Sequence, residues 1–108
     1  MKVAFVTATP GEANGLANRA VESKVAACVN VLFGIASHFF WGGKSQSDGE
    51  ALLIAKVSDD KVNEFVAKIR EWHSYQCPEV ILMDVVAGNP DYIAWVEDPE
   101  SGSGAREA

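Results

Sequence analysis

Residues 26–57 read AACVNVLFGIASHFFWGGKSQSDGEALLIAKV, and this stretch decides the fold. Its first half is almost entirely apolar, Gly42-Gly43 interrupts it, and the apolar character returns from Glu50 to Val57. Because glycine adopts positive φ at little steric cost, this pattern predicts a long β-hairpin that turns at Gly42-Gly43. Gly34 lies inside the first strand of the hairpin, where an isolated glycine is typical of a β-bulge.

The first strand of this hairpin ends in three aromatic residues, Phe39, Phe40 and Trp41. A chain of 108 residues forms one small domain, which has little core left for three rings at the end of a hairpin. An exposed apolar strand either aggregates or pairs with another chain. We therefore expect the hairpin to associate with other copies of the chain.

A strand and a helix precede the hairpin. Lys2 to Thr7 is a β-branched and aromatic run that predicts a buried strand. Thr9-Pro10-Gly11-Glu12 has the pattern of a capping box, with proline at the first helical position. The apolar positions of the predicted helix, which runs to about Lys24, are Ala13, Leu16, Ala17, Ala20 and Val21.

A helix, a strand and a short helix follow the hairpin. Ser58-Asp59-Asp60 predicts a helix start, because acidic residues in the first turn complement the helix dipole. Glu79 to Val86 predicts a fourth strand, and Asn89 is the expected cap of a short terminal helix. We expect residues 1–98 to form a single domain and residues 99–108, rich in Ser, Gly and Glu, to form a flexible tail.

The predicted element order is βαββαβ followed by a short helix. Two strand–helix–strand halves with right-handed crossovers give a four-stranded antiparallel sheet with helices on one face. The expected fold class is therefore α+β with a ferredoxin-like arrangement. In this arrangement the second strand, which is the long apolar one, lies at an edge of the sheet.

Charge and cysteine content restrict the class of function. The chain has nine Lys and Arg against fifteen Asp and Glu, a net charge of -6, and its cations are scattered. This disfavours binding to nucleic acid or to anionic membranes, and no apolar stretch is long enough to span a bilayer. Cys28 and Cys77 lie far apart, so a disulfide is possible but not indicated, and we expect a cytoplasmic protein.

The densest cluster of polar and aromatic residues is His73 to Glu79, between the second helix and the fourth strand. His73 and Cys77 are possible ligands for a borderline or soft metal, although an ordinary helix-ending turn is the simpler interpretation. No CxxC, HxH or HExxH spacing occurs, so a preformed zinc site is not expected. No GxSxG motif, phosphate loop or paired nucleophile and base occurs either, so we expect no enzymatic activity.

Two further groups of residues are candidates for ligand binding. Asn30 lies within an apolar run and must find hydrogen-bond partners, either by capping a neighbouring loop or by lining a pocket. Four residues could supply aromatic walls and a cation for a small anionic ligand, or could instead form the core of an interface. These are Trp41, Lys44, Tyr92 and Trp95.

Five segments together resemble the CutA1 divalent-cation tolerance proteins, over roughly residues 3–97. They are Ala26 to Asn30, Phe40 to Lys44, Glu50 to Lys56, His73 to Glu79, and Asp91-Tyr92 with Trp95. The resemblance implies a ferredoxin-like protomer that forms a tight homotrimer through its long strands. It also implies a role in tolerance to divalent cations such as copper, without an established enzymatic activity.

The sequence departs from the pattern of this family at four positions. The family usually reads His-Pro-Tyr-Glu-x-Pro in the loop, where this chain has Ser74 and Gln76. A glutamate is usual where Gly42 stands, and tyrosine is common where Phe40 stands. Two carboxylates are therefore missing from the turn and the loop. Gly42 and the absent loop proline also predict a looser hairpin tip and loop, because glycine raises and proline lowers backbone freedom.

The leading interpretation is a non-enzymatic homotrimer involved in divalent-cation tolerance. In it, His73, Cys77 and Glu79 would contact Cu²⁺ or another divalent cation weakly. The alternative is a small-molecule sensor that resembles the PII signalling trimers and binds its ligand between subunits. The residues proposed to line such a cleft are Asn30, Trp41, Lys44, Lys56, Tyr75, Glu79, Tyr92 and Trp95.

Two other interpretations rank lower. An acylphosphatase-type hydrolase shares the βαββαβ order, but it needs an arginine in a phosphate-cradling loop after the first strand. Pro10-Gly11-Glu12 offers none, so this interpretation ranks last. A purely structural trimer that scaffolds another protein also fits the pattern.

Overall fold

The computed structural model describes residues 1–101 and has the predicted α+β architecture. Its strands and helices are β1 (Lys2–Ala8), α1 (Pro10–Glu22), β2 (Cys28–Trp41), β3 (Lys44–Val57), α2 (Val62–Trp72), β4 (Val80–Asp84) and α3 (Pro90–Glu97). Short 3₁₀ turns occur at Asp59–Lys61 and Pro99–Ser101. The four strands are antiparallel neighbours in the order β2-β3-β1-β4, which places β2 at an edge as predicted.

The long hairpin has the predicted turn and the predicted bulge. β2 and β3 pair from Cys28 opposite Lys56 to Trp41 opposite Lys44, and Gly42 and Gly43 have φ values of 63° and 79°. The register shifts between Leu32 and Ile35, where Gly34 has φ 80°. The backbone conformation at all three glycines is one that residues with a Cβ rarely adopt, so the turn and the bulge depend on these glycines.

Three element boundaries differ by two residues or more from the predicted ones. β4 ends at Asp84 rather than at Val86, because its neighbour β1 begins at Lys2, which pairs with Asp84. α1 ends at Glu22, and a 3₁₀ turn precedes α2 instead of a continuous helix from Ser58. The predicted cap of α3 is confirmed, since Oδ1 of Asn89 accepts a hydrogen bond from the Asp91 N–H at 3.1 Å.

The core lies between one face of the sheet and helices α1 and α2. Alternate residues of β1 and β3 are buried on this face, and most of them are alanine or valine, which lets the helices approach closely. Leu16 of α1 and Phe65 and Ile69 of α2 pack into the same cluster. The strand residues of this cluster are Ala4, Val6, Ala8, Ala51, Leu53, Ala55 and Val57.

The opposite face of the sheet, here called the open face, is also apolar. Directly opposed residues of antiparallel strands share a face, so Phe5 lies beside Ile54 of β3 and Ile81 of β4. By the same rule Leu32 and Met83 belong to the open face. Leu32, Ile81 and Met83 are between 42% and 50% exposed. A contiguous apolar surface of this kind marks an interaction site.

The aromatic end of the hairpin is exposed in the protomer, with Phe40 at 73% and Trp41 at 66%. Most of the predicted C-terminal tail, residues 102–108, lies outside the described residues. Between residues 1 and 101, no helix combines the length and the apolar character needed to cross a membrane.

Candidate functional site

The loop that joins α2 to β4, residues 73–79, is fixed at its start by His73. The imidazole is buried, and its Nε2 lies 2.7 Å from the Thr7 carbonyl oxygen of β1. Its Nδ1 accepts a hydrogen bond from the Tyr75 N–H at 3.1 Å. Because the Thr7 oxygen can only accept, this geometry requires a proton on Nε2. Both ring nitrogens therefore have partners within the protein.

A carboxylate from α1 fixes the next residue of the loop. Glu12 accepts hydrogen bonds from the Ser74 hydroxyl at 2.6 Å and from the Ser74 N–H at 3.1 Å. It also accepts from the Thr9 hydroxyl at 2.8 Å and from the Thr9 N–H at 3.3 Å, which is the predicted capping contact. Burial raises the pKa of Glu12, but the hydrogen bonds from Ser74 and Thr9 outweigh it and hold the pKa below its ordinary value.

A third contact joins the loop to the hairpin. The Tyr75 hydroxyl donates a hydrogen bond to the Glu50 carboxylate at 2.8 Å, and the Glu50 residue is only 8% exposed. Burial, followed by the hydrogen bond to Glu50 and the charges of Glu50, Asp48 and Glu12, raises the pKa of Tyr75 to about 12. The phenol therefore remains protonated at neutral pH, and its hydroxyl continues to donate a hydrogen bond to the buried Glu50 carboxylate.

The loop and the hairpin enclose a cleft of about 750 Å³, here called the hairpin cleft. It forms because the distal parts of β2 and β3 extend beyond the end of β1 that lies next to the loop. Its lining residues are Thr7, Ser37, His38, Phe39, Trp41, Asp48, Glu50, Tyr75, Gln76, Cys77 and Glu79. Three of these are carboxylates and none is lysine or arginine, so the cleft favours positively charged ligands.

The three residues predicted to bind metal occupy different environments. Cys77 and Glu79 are exposed and line the hairpin cleft, whereas His73 is buried beneath the loop with both nitrogens engaged. Within residues 1–101, no group of three or more His, Cys, Asp or Glu side chains is arranged to hold a metal ion. The described part of a single protomer thus presents no preformed metal centre, and the metal-binding role of these residues stays a prediction.

The residues predicted to bind a small molecule fall into three places in the protomer. Trp41, Tyr75 and Glu79 line the hairpin cleft, and Lys44 lies opposite Trp41 at the turn but outside the lining. The remaining members form two pairs. The Lys56 ammonium donates to Oδ1 of Asn30, and the rings of Tyr92 and Trp95 lie 5.8 Å apart on α3.

Asn30 thus has a cross-strand partner, Lys56, on the open face. This contact is neither the loop cap nor the pocket lining considered from the sequence. Lys56 is diagonal to Asn30 in the β2–β3 ladder, within reach of a long side chain. The predicted cleft between subunits involves more than one chain and stays a prediction.

Sequence reasoning did not select the carboxylates Asp48 and Glu50 as site residues. A usable signal was present, because residues two apart on a strand share a face, so Asp48 and Glu50 lie on one side of β3. Glu12 was selected only as a capping residue. Its second role, toward Ser74, joins residues 62 positions apart and leaves no local pattern.

Comparison with known proteins decides the family. The sequence matches the family described as CutA1 divalent ion tolerance protein over residues 2–99. The chain belongs to the CutA1 family. This confirms the resemblance inferred from the five sequence segments.

Relatives in the CutA1 family cover most of the chain. A protein CutA homolog from Xenopus laevis is 40% identical over 100 residues, which is 91% of this chain and 66% of the relative. Protein CutA, chloroplastic, from Arabidopsis thaliana is 39% identical over 97 residues, 89% of this chain and 53% of the relative. The chain therefore spans about half to two-thirds of the length of these relatives. The divalent-cation tolerance protein CutA of Yersinia pestis is 32% identical over 96 residues, 87% of this chain and 81% of that protein.

Solved CutA structures confirm the fold. CutA1 from Oryza sativa superposes with a TM-score of 0.86 at 33% identity, covering 98% of this chain and 94% of that one. The PII-like protein CutA from Nostoc superposes with a TM-score of 0.85 at 31% identity, covering 90% of this chain and 94% of that one.

Proposed function

We propose that this CutA1-family chain acts in tolerance to divalent cations, with copper as the cation, as a non-enzymatic homotrimer in the cytoplasm. The name of the Yersinia pestis relative, divalent-cation tolerance protein, supports the cation role. The observation that carries the proposal is the apolar open face, which a protomer alone leaves in contact with water. The family resemblance supports three as the number of chains.

Two surfaces supply the reason for assembly. The open face exposes side chains from β2 and β4, and the hairpin end exposes Phe40, which lies outside the cleft lining. Transfer of apolar area from water contributes roughly 25 cal/mol per Å², so covering both surfaces stabilises an assembly strongly. β2 is also an edge strand with unpaired backbone groups, which invite pairing with another chain.

Weak copper binding would use the hairpin cleft. Cys77 offers a thiolate and Glu79 a carboxylate on the same loop, and Asp48 adds negative charge on the opposite wall. Thiolate and carboxylate together suit a borderline cation. In this proposal His73 fixes the loop through Thr7 and Tyr75, and a contact between His73 and copper would require its release from these partners.

Native mass spectrometry at micromolar protein tests the assembly. We expect a single species of three chains, and we expect Ile81→Lys to dissociate it because the lysine would be buried in the interface. Val21→Lys is the matched control, because Val21 is also about half exposed but lies on α1, on the other side of the sheet. A wild-type monomer would refute the trimer, and equal effects of both variants would refute the role of the open face.

Copper titration tests the cation role. We expect Cys77→Ser combined with Glu79→Gln to weaken Cu²⁺ binding, while Cys28→Ser combined with Glu71→Gln leaves it unchanged. The control pair removes the same chemical groups from positions outside the cleft. Identical titration curves for both double variants would remove Cys77 and Glu79 from the proposal.

A second candidate function is a small-molecule sensor of the PII type. It is favoured by the volume of the hairpin cleft and by Trp41 and Tyr75 in its lining. We expect a cognate small molecule to raise the melting temperature of the wild-type protein and not that of Trp41→Ala. A broad metabolite set that shifts neither protein would count against the sensor.

A further inference from the structure

The hairpin cleft combines aromatic rings with carboxylates on facing rows. Ser37 pairs with Asp48 and Ile35 pairs with Glu50, so these acids project from the same side of the hairpin as Ser37. Phe39 and Trp41 follow Ser37 at alternate positions of β2 and project to this side as well. The aromatic row and the acidic row therefore line one space, which Tyr75 and Glu79 close from the loop.

The charge of this space is negative and only partly neutralised by hydrogen bonds. The Glu50 carboxylate accepts a hydrogen bond from the Tyr75 hydroxyl. This bond uses only one of the roughly four acceptor positions of a carboxylate. Asp48 and Glu79 are exposed to the cleft, and its lining contains no lysine or arginine. Lys44, opposite Trp41 at the turn, projects to the same side but lies outside the lining, so a phosphate or carboxylate ligand within the cleft would meet three carboxylates and no lining cation.

Building on the second candidate function, we propose that the hairpin cleft binds a small organic cation, an ammonium or guanidinium group carried on an apolar body. Carboxylates pair with the cationic group, and the faces of Trp41, Phe39 and Tyr75 contact both the cation and the apolar body. Aromatic rings are not ligands for metal ions, so their presence in the lining points to an organic ligand rather than to the weak copper contacts alone.

Isothermal titration calorimetry of the full-length protein with three probes tests the ligand class. Phenethylamine supplies an ammonium on an aromatic body, phenethyl alcohol replaces the charge with a hydroxyl, and ATP supplies an anion with an aromatic base. We expect phenethylamine to bind at pH 7 and to weaken as salt is raised, because salt screens the carboxylates. We expect phenethyl alcohol to bind at least tenfold more weakly and ATP not to bind.

Cleft variants test the location. Removal of a charge-assisted contact by Asp48→Asn or Glu79→Gln should weaken phenethylamine binding about five- to tenfold. Trp41→Leu should weaken it about three- to fivefold through loss of a cation–π contact. Glu71→Gln, an exposed carboxylate on α2 outside the cleft, is the matched control and should not change affinity. Circular dichroism and native mass spectrometry confirm that each variant retains its fold and assembly.

The outcomes separate this inference from the function on which it rests. ATP binding that depends on Trp41, without phenethylamine binding, would overturn the cationic class and leave the sensor function standing. No binding of any probe, together with no stabilisation by a broad metabolite set, would overturn both. Equal binding of phenethylamine and phenethyl alcohol, or equal effects of Asp48→Asn and Glu71→Gln, would also overturn the inference.

Discussion

Glu12→Ala should destabilise the protein by about 2 kcal/mol at pH 7, because one carboxylate serves both the start of α1 and the α2–β4 loop. It accepts four hydrogen bonds, two from Thr9 and two from Ser74. Hydrogen bonds to charged groups contribute about 1.5–3 kcal/mol each, but Ser74 is exposed and water can replace its partner, so the sum is far smaller than four such terms. Loss of the cap alone costs about 1 kcal/mol.

Substitutions at Ser74 separate the two ends of this contact. Ser74→Ala removes the hydroxyl donor and keeps the N–H, so it should cost about 1 kcal/mol. Ser74→Pro introduces the residue common in the family and removes both donors. Proline contributes about 0.4–1 kcal/mol by restricting the unfolded chain, which does not offset the loss of two hydrogen bonds to a charged group. We therefore expect Ser74→Pro to be destabilising here.

The pH dependence of the free energy of unfolding identifies the Glu12 carboxylate as the source of this stabilisation. The pKa of Glu12 is lowered in the folded protein, so its contribution is fully present above its unfolded pKa, near 4.5, and is lost as pH falls through the folded pKa. The difference in the free energy of unfolding between wild type and Glu12→Gln should thus shrink as the pH is lowered from 7 toward 3. Thr9 and Ser74 do not titrate in this range.

Urea unfolding at one fixed protein concentration measures these values, since assembly links stability to concentration. A double-mutant cycle of Glu12→Ala and Ser74→Ala should give a coupling energy of about 1 kcal/mol. The reasoning would be refuted if the two substitutions were additive, or if the cost of Glu12→Gln were the same at pH 7 and pH 3.

Four other substitutions test separate parts of the structure. Gly34→Ala should lower the free energy of unfolding by about 1–2 kcal/mol in urea, because the bulge needs positive φ. Gly15→Ala in α1 should instead raise it, by at most about 1 kcal/mol. Tyr75→Phe should cost about 1–3 kcal/mol by leaving Glu50 without its donor. The raised pKa of Tyr75 means that its contribution is present below pH 10 and lost as pH rises, and an ultraviolet difference titration against Tyr75→Phe should place its ionisation near 12. Asn89→Ala should cost about 1 kcal/mol through loss of the α3 cap, measured by thermal unfolding.

Local patterns predicted the elements of the fold because each element carries its own signal. The capping box at Thr9, the glycine turn of the hairpin and the bulge at Gly34 involve residues close in sequence, and all appear in the structure. The predicted end of β4 was wrong because the paired register of β1 and β4 ends at Lys2 and Asp84, and the Val85 N–H makes one further hydrogen bond, to the Met1 carbonyl oxygen at 3.3 Å. Strand length depends on the partner, which a local pattern does not contain.

The site was less predictable because its contacts join distant parts of the chain. Glu12 meets Ser74 and Tyr75 meets Glu50 only after the sheet has brought α1, β3 and the loop together. The loop itself was found from its composition, but the side chain that the sequence favoured most, His73, forms contacts inside the protein. Composition identifies a segment with unusual chemistry, whereas the orientation of each side chain depends on neighbours from other elements.

The α2–β4 loop divides into residues that fix it and residues that line the hairpin cleft. His73 and Ser74 hold the backbone through Thr7 and Glu12, while Gln76, Cys77 and Glu79 face the cleft with no hydrogen bond to the rest of the described chain. Substitutions in the second group can therefore change the charge of the cleft at little cost in stability. Gln76 stands where the CutA1 family usually has glutamate. The cleft of this chain therefore carries one fewer negative charge than the usual family sequence would give. Differences in ligand preference among members of the family are expected at such positions, and differences in stability at His73, Ser74 and their partners.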